Sequence, residues 1–458
     1  MVVVKHIKEL ILALLYLLLL TPLIGRAQAE HDPFHGYVNV RYRYEFQHNF
    51  NFKHYGKNPL KGERSDGFLL QRVQAGGRWA FAPNIHVALG VQDARVFESN
   101  YDSDLFYSKR FDHKHNAYED QFELYETYLE VSDETAELWT FKGGRQTILY
   151  GDCRIFGSGS WGNSGGYQWD AIKLSLKHRK HFIDFIWGGV VIHEPEQFSL
   201  RHRHKEYGAG FYSHLQVSEY VELEPFYLLK YDLHERYTAI SGTAVDDLIC
   251  HNAGFRAAGD FSPLFFDLNL VHQWGDYGRQ RLDAWGAHLL LGTKFDHYRW
   301  NPILSIEYSF ASGDSDPDDG RMETYQGVFG ARDKMYRRMH FMDLSNLHDL
   351  QFNLELVPLK NVQIYFGAHR FWLDEKKDGW SKNFSTYRDL SGSSGRHLGD
   401  EVDFMLQWNL DAVVFDSKVR FVLMAGYCHF WPGEFLKNVA DGSQADWVFT
   451  QIECKYVF

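Results

Sequence analysis

Proline, cysteine and long apolar runs are scarce in this chain. Its 458 residues include 11 prolines and 4 cysteines, and after Leu20 no apolar run is long enough to form a membrane-spanning helix. The cysteines, Cys153, Cys250, Cys428 and Cys454, are far apart and follow no CxxC spacing. Only Cys428 and Cys454 are expected on neighbouring strands, where an exported protein could form a disulfide, and their loose spacing gives this pairing little support.

Positive charge is also in short supply. Lysine and arginine number 48 against 60 aspartates and glutamates, so the formal net charge is -12 with histidine neutral. This balance argues against nucleic-acid binding, which needs a basic field. Aromatic residues are abundant instead: they make up 17% of the sequence, with 13 Trp, 27 Tyr and 36 Phe. A transmembrane β-barrel uses them in its outer band and in two girdles at the membrane surfaces.

The first 29 residues have the pattern of an export signal. Two lysines precede an apolar stretch over residues 10–20, and Ala27-Gln28-Ala29 matches the small-x-small pattern that signal peptidase reads. We therefore expect residues 1–29 to be cleaved and residues 30–458 to form one barrel domain. An exported barrel implies the outer membrane of a Gram-negative bacterium, with lipid and lipopolysaccharide around it.

Period-two alternation is the main structural signal. Apolar and polar side chains alternate along many segments, which in a barrel places one residue toward lipid and the next toward the lumen. The last segment ends on Phe458, and such a terminal strand resembles the tail that barrel-insertion machinery recognises. Outward positions are predicted at Val40, Tyr42, Tyr44, Phe404, Trp408 and Tyr456, and inward positions at Arg41, Arg43, Asp403 and Gln451.

This alternation predicts an all-β fold, a single transmembrane antiparallel barrel of about eighteen strands, which is an even number as in other single-chain barrels. Short connections alternate with mostly long polar ones, as expected for short periplasmic turns and long extracellular loops. The long loops include 233–249 and 312–346, and the second of these has room for a short helix. The predicted strands are 37–46, 68–80, 84–97, 120–131, 138–150, 167–177, 181–192, 207–217, 220–232, 250–260, 263–274, 283–294, 302–311, 347–357, 361–373, 400–410, 418–430 and 446–458.

One segment carries a dense set of motifs. Residues 141–170 read FKGGRQTILYGDCRIFGSGSWGNSGGYQWD, and further motifs stand at 310–314, 346–358, 369–380 and 431–433. Together they resemble the alginate export family, whose members share a GRQ-x-x-x-YGD-x-R element followed by W-x-N and an aromatic-Asp pair. The matching residues are Gly144, Arg145, Gln146, Tyr150, Gly151, Asp152, Arg154, Trp161, Asn163 and Asp170.

The resemblance implies an outer-membrane channel with an electropositive constriction for an anionic polysaccharide or oligosaccharide, served by periplasmic export partners. Arg145 and Arg154 are the candidate pore charges, because a guanidinium offers paired donors that suit a uronate carboxylate. For any single arginine the alternative is a scaffold role, since barrel walls hold many arginine–carboxylate pairs. The predicted pore-lining residues are Arg41, Arg43, Arg72, Arg78, Arg145, Arg154, Lys173, Arg256, Asp170 and Asp403.

Some features depart from the family pattern or suggest other chemistry. Inward acidic residues such as Glu126, Glu222 and Glu224 give the lumen a mixed charge, which weakens the case for alginate as the substrate. Residues 201–205, RHRHK, could contact lipopolysaccharide phosphates or a metal, but a solvated loop tip is the better interpretation. One external loop suggests Ca²⁺, although a solvated acidic loop accounts better for its carboxylates at Asp314, Asp316, Asp318 and Asp319.

Three functional hypotheses follow. The first is a passive channel of the alginate export type, and the second is a general or small-anion porin with the same barrel and a different substrate. The third, an outer-membrane enzyme, is disfavoured because the 24 histidines show no spacing that singles out a catalytic residue. Gly313-Asp314-Ser315 is similar to an esterase motif, but no strand-turn-helix context accompanies it. We therefore predict no enzymatic activity and no cofactor besides the calcium just described.

Overall fold

The computed structural model of the protein covers most of the chain. It describes residues 34–50, 53, 64–100, 107–108, 110–114, 118–157, 161–164, 168–193, 202–238, 244–330, 338–382, 385–414, 417–440 and 442–458. The predicted export signal at residues 1–29 lies outside the described residues. Within the ranges given, no helix is long and apolar enough to cross a membrane.

Eighteen strands form the body of the molecule, and every pairing among them is antiparallel. All eighteen coincide with predicted strands, so the predicted fold class is confirmed. The strands are β1 Phe34–His48, β2 Ser65–Ala82, β3 Ile85–Phe97, β4 Asp120–Ser132, β5 Trp139–Thr147, β6 Gln168–His178, β7 His181–Val191, β8 His204–Gln216, β9 Val221–Thr238, β10 Val245–Asp260, β11 Leu264–Tyr277, β12 Gln280–Lys294, β13 Ile303–Ala311, β14 Leu347–Leu359, β15 Val362–Trp372, β16 His397–Val414, β17 Ser417–Pro432 and β18 Ala445–Val457.

The sheet closes on itself between its first and last strands. β1 pairs with β2 on one side and with β18 on the other, in a register that runs from Tyr37 opposite Val457 to His48 opposite Asp446. Just beyond this ladder, the backbones of Gly36 and Phe458 exchange two hydrogen bonds of 2.8 and 3.0 Å. The closed ladder leaves none of the eighteen strands with an unpaired edge, as a membrane interior demands.

Alternate residues of each strand face opposite sides of the wall. On β1, Arg41 and Arg43 are 3% and 2% exposed, whereas Tyr44 between polar neighbours is 43% exposed. β16 repeats the pattern, with Asp403 buried and Phe404 exposed. The exposed row is aromatic and aliphatic, so it forms the lipid-facing surface, and the buried row lines the interior.

Connections at one end of the barrel are short and those at the other end are mostly long. The prediction of a loop over 233–249 is wrong, because β9 and β10 continue to pair and leave only residues 239–244 between them. Charged residues at 232–236 suggested a loop, but a strand that extends beyond the membrane carries them equally well. In the described part of 312–346 there is a two-residue strand, Arg321–Met322, and no helix; helix α1 is Glu434–Val439.

All four cysteines are unpaired. Cys428 on β17 stands opposite Trp447, and Cys454 on β18 stands opposite Phe421. Seven positions therefore separate Cys428 and Cys454 along the ladder, which corresponds to roughly 20 Å of strand. No disulfide can join them without rearrangement of the sheet.

Candidate functional site

The loop between β5 and β6 folds inward and lies against the inner face of β1 and β2. Arg41 Nη2 donates to the carbonyl of Gly162 at 2.7 Å, and Arg43 Nη1 donates to the carbonyl of Trp161 at 2.7 Å. Asn163 is fully buried, and its side-chain amide donates to the backbone carbonyls of Gln71, Arg95 and Tyr118. Residues 161–164 are thereby fixed to the barrel wall.

The side chain of Trp161 also packs in this position. Arg43 lies over the indole, with Cζ 4.2 Å from the ring centroid. Trp447 and Phe449 on β18 meet the same ring edge-on, at centroid distances of 5.7 and 5.0 Å. The guanidinium of Arg338, from the loop between β13 and β14, lies 5.7 Å from the ring centroid. Two external loops therefore meet at Trp161 inside the barrel.

Trp161 borders a cavity of about 550 Å³ in the lumen. Five basic residues and one acidic residue, Glu453, are among its lining side chains. Basic residues therefore outnumber acidic ones in the lining, although the whole chain has a net charge of -12 and Arg420 also pairs with Asp411 at 2.8 Å. The charged lining residues are Arg41, Arg72, Arg338, Arg420, Lys455 and Glu453, and the uncharged ones include Asn39, Gln74, Tyr125, Trp161, His340, Gln407 and Gln451.

Two of the predicted pore residues, Arg41 and Arg72, line this cavity. Sequence reasoning did not select Arg338, Arg420 or Lys455. Lys455 shares the inward phase of Glu453, so the alternation could have revealed it. Arg420 lies in phase with apolar Val422 and Met424, which hides its facing, and Arg338 lies in a loop where no periodic signal exists.

Arg145 lies in a buried network of ion pairs. It forms two hydrogen bonds with Asp170, from Nε at 2.9 Å and from Nη2 at 3.0 Å. Its Nη1 donates to Glu123 at 3.1 Å, and its Nη2 donates to Nδ1 of His202 at 2.7 Å. His202 is buried and also contacts Glu123 through Nε2, so the prediction of a solvated loop tip at 201–205 does not hold for this residue. Arg201 lies outside the described residues.

Six more of the predicted basic residues, five on the wall and Arg154 in the loop between β5 and β6, also have carboxylate partners. Asp403 faces inward and is 4% exposed. The pore roles of all these residues, and of Arg145, stay predictions. The pairs are Arg43–Glu45 at 2.7 Å, Arg72–Glu453 at 3.7 Å, Arg78–Glu130 at 2.6 Å, Arg154–Asp152 at 2.8 Å, Arg154–Glu307 at 3.6 Å, Lys173–Asp184 at 2.9 Å, and Arg256 with Glu222, Glu224 and Asp267 at 2.7, 3.0 and 2.6 Å.

The acidic loop predicted as a calcium candidate binds its own backbone. Asp314 Oδ1 accepts from the Asp316 amide, Asp316 accepts from the Asp318 amide, and Asp319 accepts from the Arg321 amide. Burial of Asp314 next to the Asp378 carboxylate raises its pKa to about 7. Calcium binding here stays a prediction.

Other groups place potential metal ligands together. Three sets of side chains in the described ranges bring their ligand atoms within 4.8 Å of one another. Sequence spacing did not reveal them, since each set joins residues from two or more elements. The sets are Asp120, Glu123 and His193; His214, Glu222 and Glu224; and Glu401, Asp403 and Cys428.

The GRQ-x-x-x-YGD motif builds the entry to the inward loop. Gly144 has φ +126°, and a Cβ there would lie 2.4 Å from the carbonyl oxygen of Thr127, so only glycine fits. Gln146 donates to the carbonyl of Ala171 at 2.9 Å and fixes the end of β5 to β6. These motif residues therefore fix the end of β5 and the direction in which the chain enters the loop that reaches the lumen.

Comparison with known proteins agrees with this architecture. The model of the alginate export family matches residues 37–450, which is nearly the whole chain. The chain belongs to the alginate export family. No curated protein sequence matches it significantly.

Solved outer-membrane structures share the fold of this alginate export family member. Acinetobacter baumannii OccAB2 superposes with a TM-score of 0.59 at 11% identity, over 93% of this chain and 98% of that chain. A. baumannii OccAB4 gives 0.56 at 10% identity over 94% and 100%, and Pseudomonas aeruginosa OccK11 (OpdR) gives 0.55 at 10% identity over 93% and 96%. Family and fold together identify an outer-membrane channel.

Proposed function

We propose that this channel passes anionic polysaccharide or oligosaccharide, with uronate-type carboxylates as the groups that it attracts. The observation that carries the proposal is the cavity lining, in which five basic residues face one acidic residue. Low-dielectric walls focus such a field, so a local excess of positive charge acts on a passing anion more strongly than the distant surface charge does.

The position of the charges supports a polymer rather than a single small ion. Arg41 and Arg72 lie on β1 and β2, Arg420 and Lys455 on β17 and β18, and Arg338 reaches the cavity from a loop. These basic side chains therefore approach the lumen from adjacent wall strands and from the loop. A volume of about 550 Å³ falls within the roughly 300–1,000 Å³ typical of binding pockets, which suits a short segment of sugar chain.

Trp161 gives the cavity a second feature that suits sugars. Its ring borders the same space as the basic residues, and it is fixed by Arg43, Trp447 and Phe449. A rigid aromatic face next to guanidinium groups offers an apolar surface for a sugar ring and donors for its carboxylate. A pore that selects chloride alone has no need of such a surface.

The test is current through single channels in planar bilayers, with a salt gradient across the membrane. We expect anion selectivity, and we expect Arg338→Glu to move the reversal potential toward cations because it reverses a charge on the lining. The shift shrinks at high salt, as the screening length falls from about 10 Å at 0.1 M to about 3 Å at 1 M. Arg279→Glu is the matched control, since Arg279 lies in the exposed turn after β11 and does not line the cavity.

Added oligosaccharides separate the two channel hypotheses. Oligouronate of a few residues should interrupt the current at concentrations at which a neutral oligosaccharide of equal length does not. Anion selectivity without this block would indicate a small-anion porin instead. Absence of selectivity in the unaltered channel would remove the electrostatic basis of the proposal. The periplasmic export partners and the contacts with lipopolysaccharide that the sequence predicts belong to the same proposal.

A further inference from the structure

A cluster of ligand-type side chains lies on the inner wall, apart from the cavity. Asp120 and Glu123 stand at the start of β4, and His193 follows the end of β7. Asp120 Oδ2 is 3.2 Å from His193 Nδ1, and Glu123 Oε2 is 3.6 Å from the same nitrogen. Strands β5 and β6 separate β4 from β7 in the sheet, so the chain after β7 turns inward to bring His193 to this place.

Most polar atoms of this cluster make ion-pair contacts with one another but form no hydrogen bond. Asp120 is 0% exposed, and neither of its carboxylate oxygens has a hydrogen-bond partner in the described part of the chain. Glu123 Oε2 and both ring nitrogens of His193 are likewise buried without one. Burial of carboxylate and imidazole atoms that form no hydrogen bond costs free energy. One ligand atom from each of the three residues lies within 4.8 Å of the other two, so the arrangement suits a single bound ion.

We propose that Asp120, Glu123 and His193 bind one divalent transition-metal ion, of which Zn²⁺ is the representative. Ligand bonds of about 2.0–2.1 Å at tetrahedral angles place neighbouring ligand atoms roughly 3.3–3.4 Å apart. The measured separations from the His193 nitrogen, 3.2 and 3.6 Å, bracket that value. One imidazole and two carboxylates leave a fourth position for water.

A second layer of residues orients Glu123 for this role. His202 directs Nε2 to Glu123 Oε1, and its Nδ1 accepts a hydrogen bond of 2.7 Å from Arg145. Arg145 also donates to the same oxygen, Glu123 Oε1, at 3.1 Å. These contacts occupy one oxygen of Glu123 and leave Oε2 directed toward Asp120 and His193. Metal sites typically hold their carboxylate ligands by such outer hydrogen bonds.

The ligand set favours some metals over others. Ca²⁺ and Mg²⁺ prefer all-oxygen coordination with six or more ligands, and an imidazole is a poor partner for them. Zn²⁺ and its neighbours in the first transition row accept imidazole and carboxylate together. The ion would join His193, which directly follows β7, to β4 across two intervening strands, and so would hold this part of the chain on the inner wall.

The experiment uses the full barrel in detergent, stripped with a chelator and then titrated with Zn²⁺ against a chromophoric chelator. We expect one tightly bound equivalent per chain and no comparable binding of Ca²⁺ or Mg²⁺. His193→Gln and Asp120→Asn should each weaken binding at least tenfold, and His202→Gln should weaken it by about 10–100-fold as an outer-layer change. His288→Gln is the matched control, since this buried histidine bonds Ser309 and lies outside the cluster.

Two further readouts keep the test decisive if a variant folds poorly. Zn²⁺ should raise the unfolding temperature of the stripped unaltered protein, and Co²⁺ in its place should give the visible absorption of a four-coordinate site. Equal Zn²⁺ retention by the unaltered protein, Asp120→Asn and His193→Gln would assign the metal to surface histidines and overturn the proposal. Failure to bind any Zn²⁺ would overturn it too, and neither result bears on anion selectivity.

Discussion

The guanidinium of Arg43 lies over the indole of Trp161, with Cζ 4.2 Å from the ring centroid, and also donates to the carbonyl oxygen of the same residue. One wall residue thus holds both the side chain and the backbone of a loop residue inside the lumen. This double contact explains how residues 161–164 are held against the inner wall although they form no helix or strand.

Loss of the Trp161 ring should therefore widen the passage. We expect Trp161→Ala to increase single-channel conductance and to lower the free energy of unfolding by at least the cation–π contribution, about 0.5–2 kcal/mol. Conductance in planar bilayers and urea unfolding measure the two effects. Trp300→Ala in the turn between β12 and β13 is the control and should leave conductance unchanged. Equal conductance of Trp161→Ala and the unaltered channel would show that the ring does not narrow the pore.

Arg145 has two candidate roles, one as a charge that acts on ions in the pore and one as a structural ion-pair partner. Its guanidinium is 6% exposed and pairs with Glu123 and Asp170, so Arg145→Gln removes the guanidinium partner of the buried Glu123 carboxylate and of the half-buried Asp170 carboxylate. We expect a loss of about 3–5 kcal/mol in unfolding free energy, as for other broken buried pairs. The same variant in a salt gradient tests the pore role.

A large shift of reversal potential in Arg145→Gln with normal stability would support the pore role predicted from the sequence. The same two measurements apply to Arg154, which pairs with Asp152 and Glu307. Changing both residues to Glu, with selectivity as the readout, separates the electrostatic role from the scaffold role for the pair.

The sequence predicts the barrel wall well because a closed antiparallel sheet is encoded locally. Period-two alternation fixes both the strands and their facing, so Arg41, Arg43 and Asp403 are found inward and Tyr44, Phe404 and Trp408 outward. The incorrect prediction of a loop over 233–249 also arises because the pattern is local. Beyond the membrane, a loop and an extended strand can carry the same charged residues, so the sequence pattern does not distinguish them.

The cavity lining was less predictable because loops contribute to it. Arg338 lines the cavity although it lies in the loop between β13 and β14, where no periodic pattern predicts the direction of a side chain. His193 and His202 likewise contact Glu123 although both follow β7 in the chain and Glu123 lies on β4, so no local pattern could predict these contacts. The family motif predicted part of the cavity, since it contains Trp161 and Asn163, the residues that attach one of these loops to the wall.

The two faces of β16 should respond oppositely to a new charge. Phe404 faces lipid, and Phe404→Arg should cost about 2–4 kcal/mol, as measured for arginine near the membrane midplane of other barrels. Gln407 lines the cavity, so Gln407→Arg should fold normally and increase anion selectivity. Unfolding in lipid vesicles and reversal potentials provide the measurements. Similar destabilisation by both changes would contradict the assigned facing.

The loop between β13 and β14 should be more firmly packed in acid than at neutral pH. Burial beside Asp378, with Glu323 and Asp319 nearby, raises the pKa of Asp314 from 3.8 to about 7. A raised pKa in the folded state means that the folded protein takes up a proton which the unfolded chain releases. The resulting stability is fully present below pH 3.8 and is lost as the pH rises through about 7.

We therefore expect protease resistance of this loop to fall between pH 5 and pH 8 in the unaltered protein. Asp314→Asn mimics the protonated carboxyl, so its resistance should change less over the same range. Asp389→Asn serves as the control, because hydrogen bonds from Ser391 and Ser394 lower the pKa of Asp389 and keep it charged throughout. Comparison of the variants cancels the pH dependence of the protease itself. An identical pH profile for Asp314→Asn and the unaltered protein would show that Asp314 does not titrate in this window.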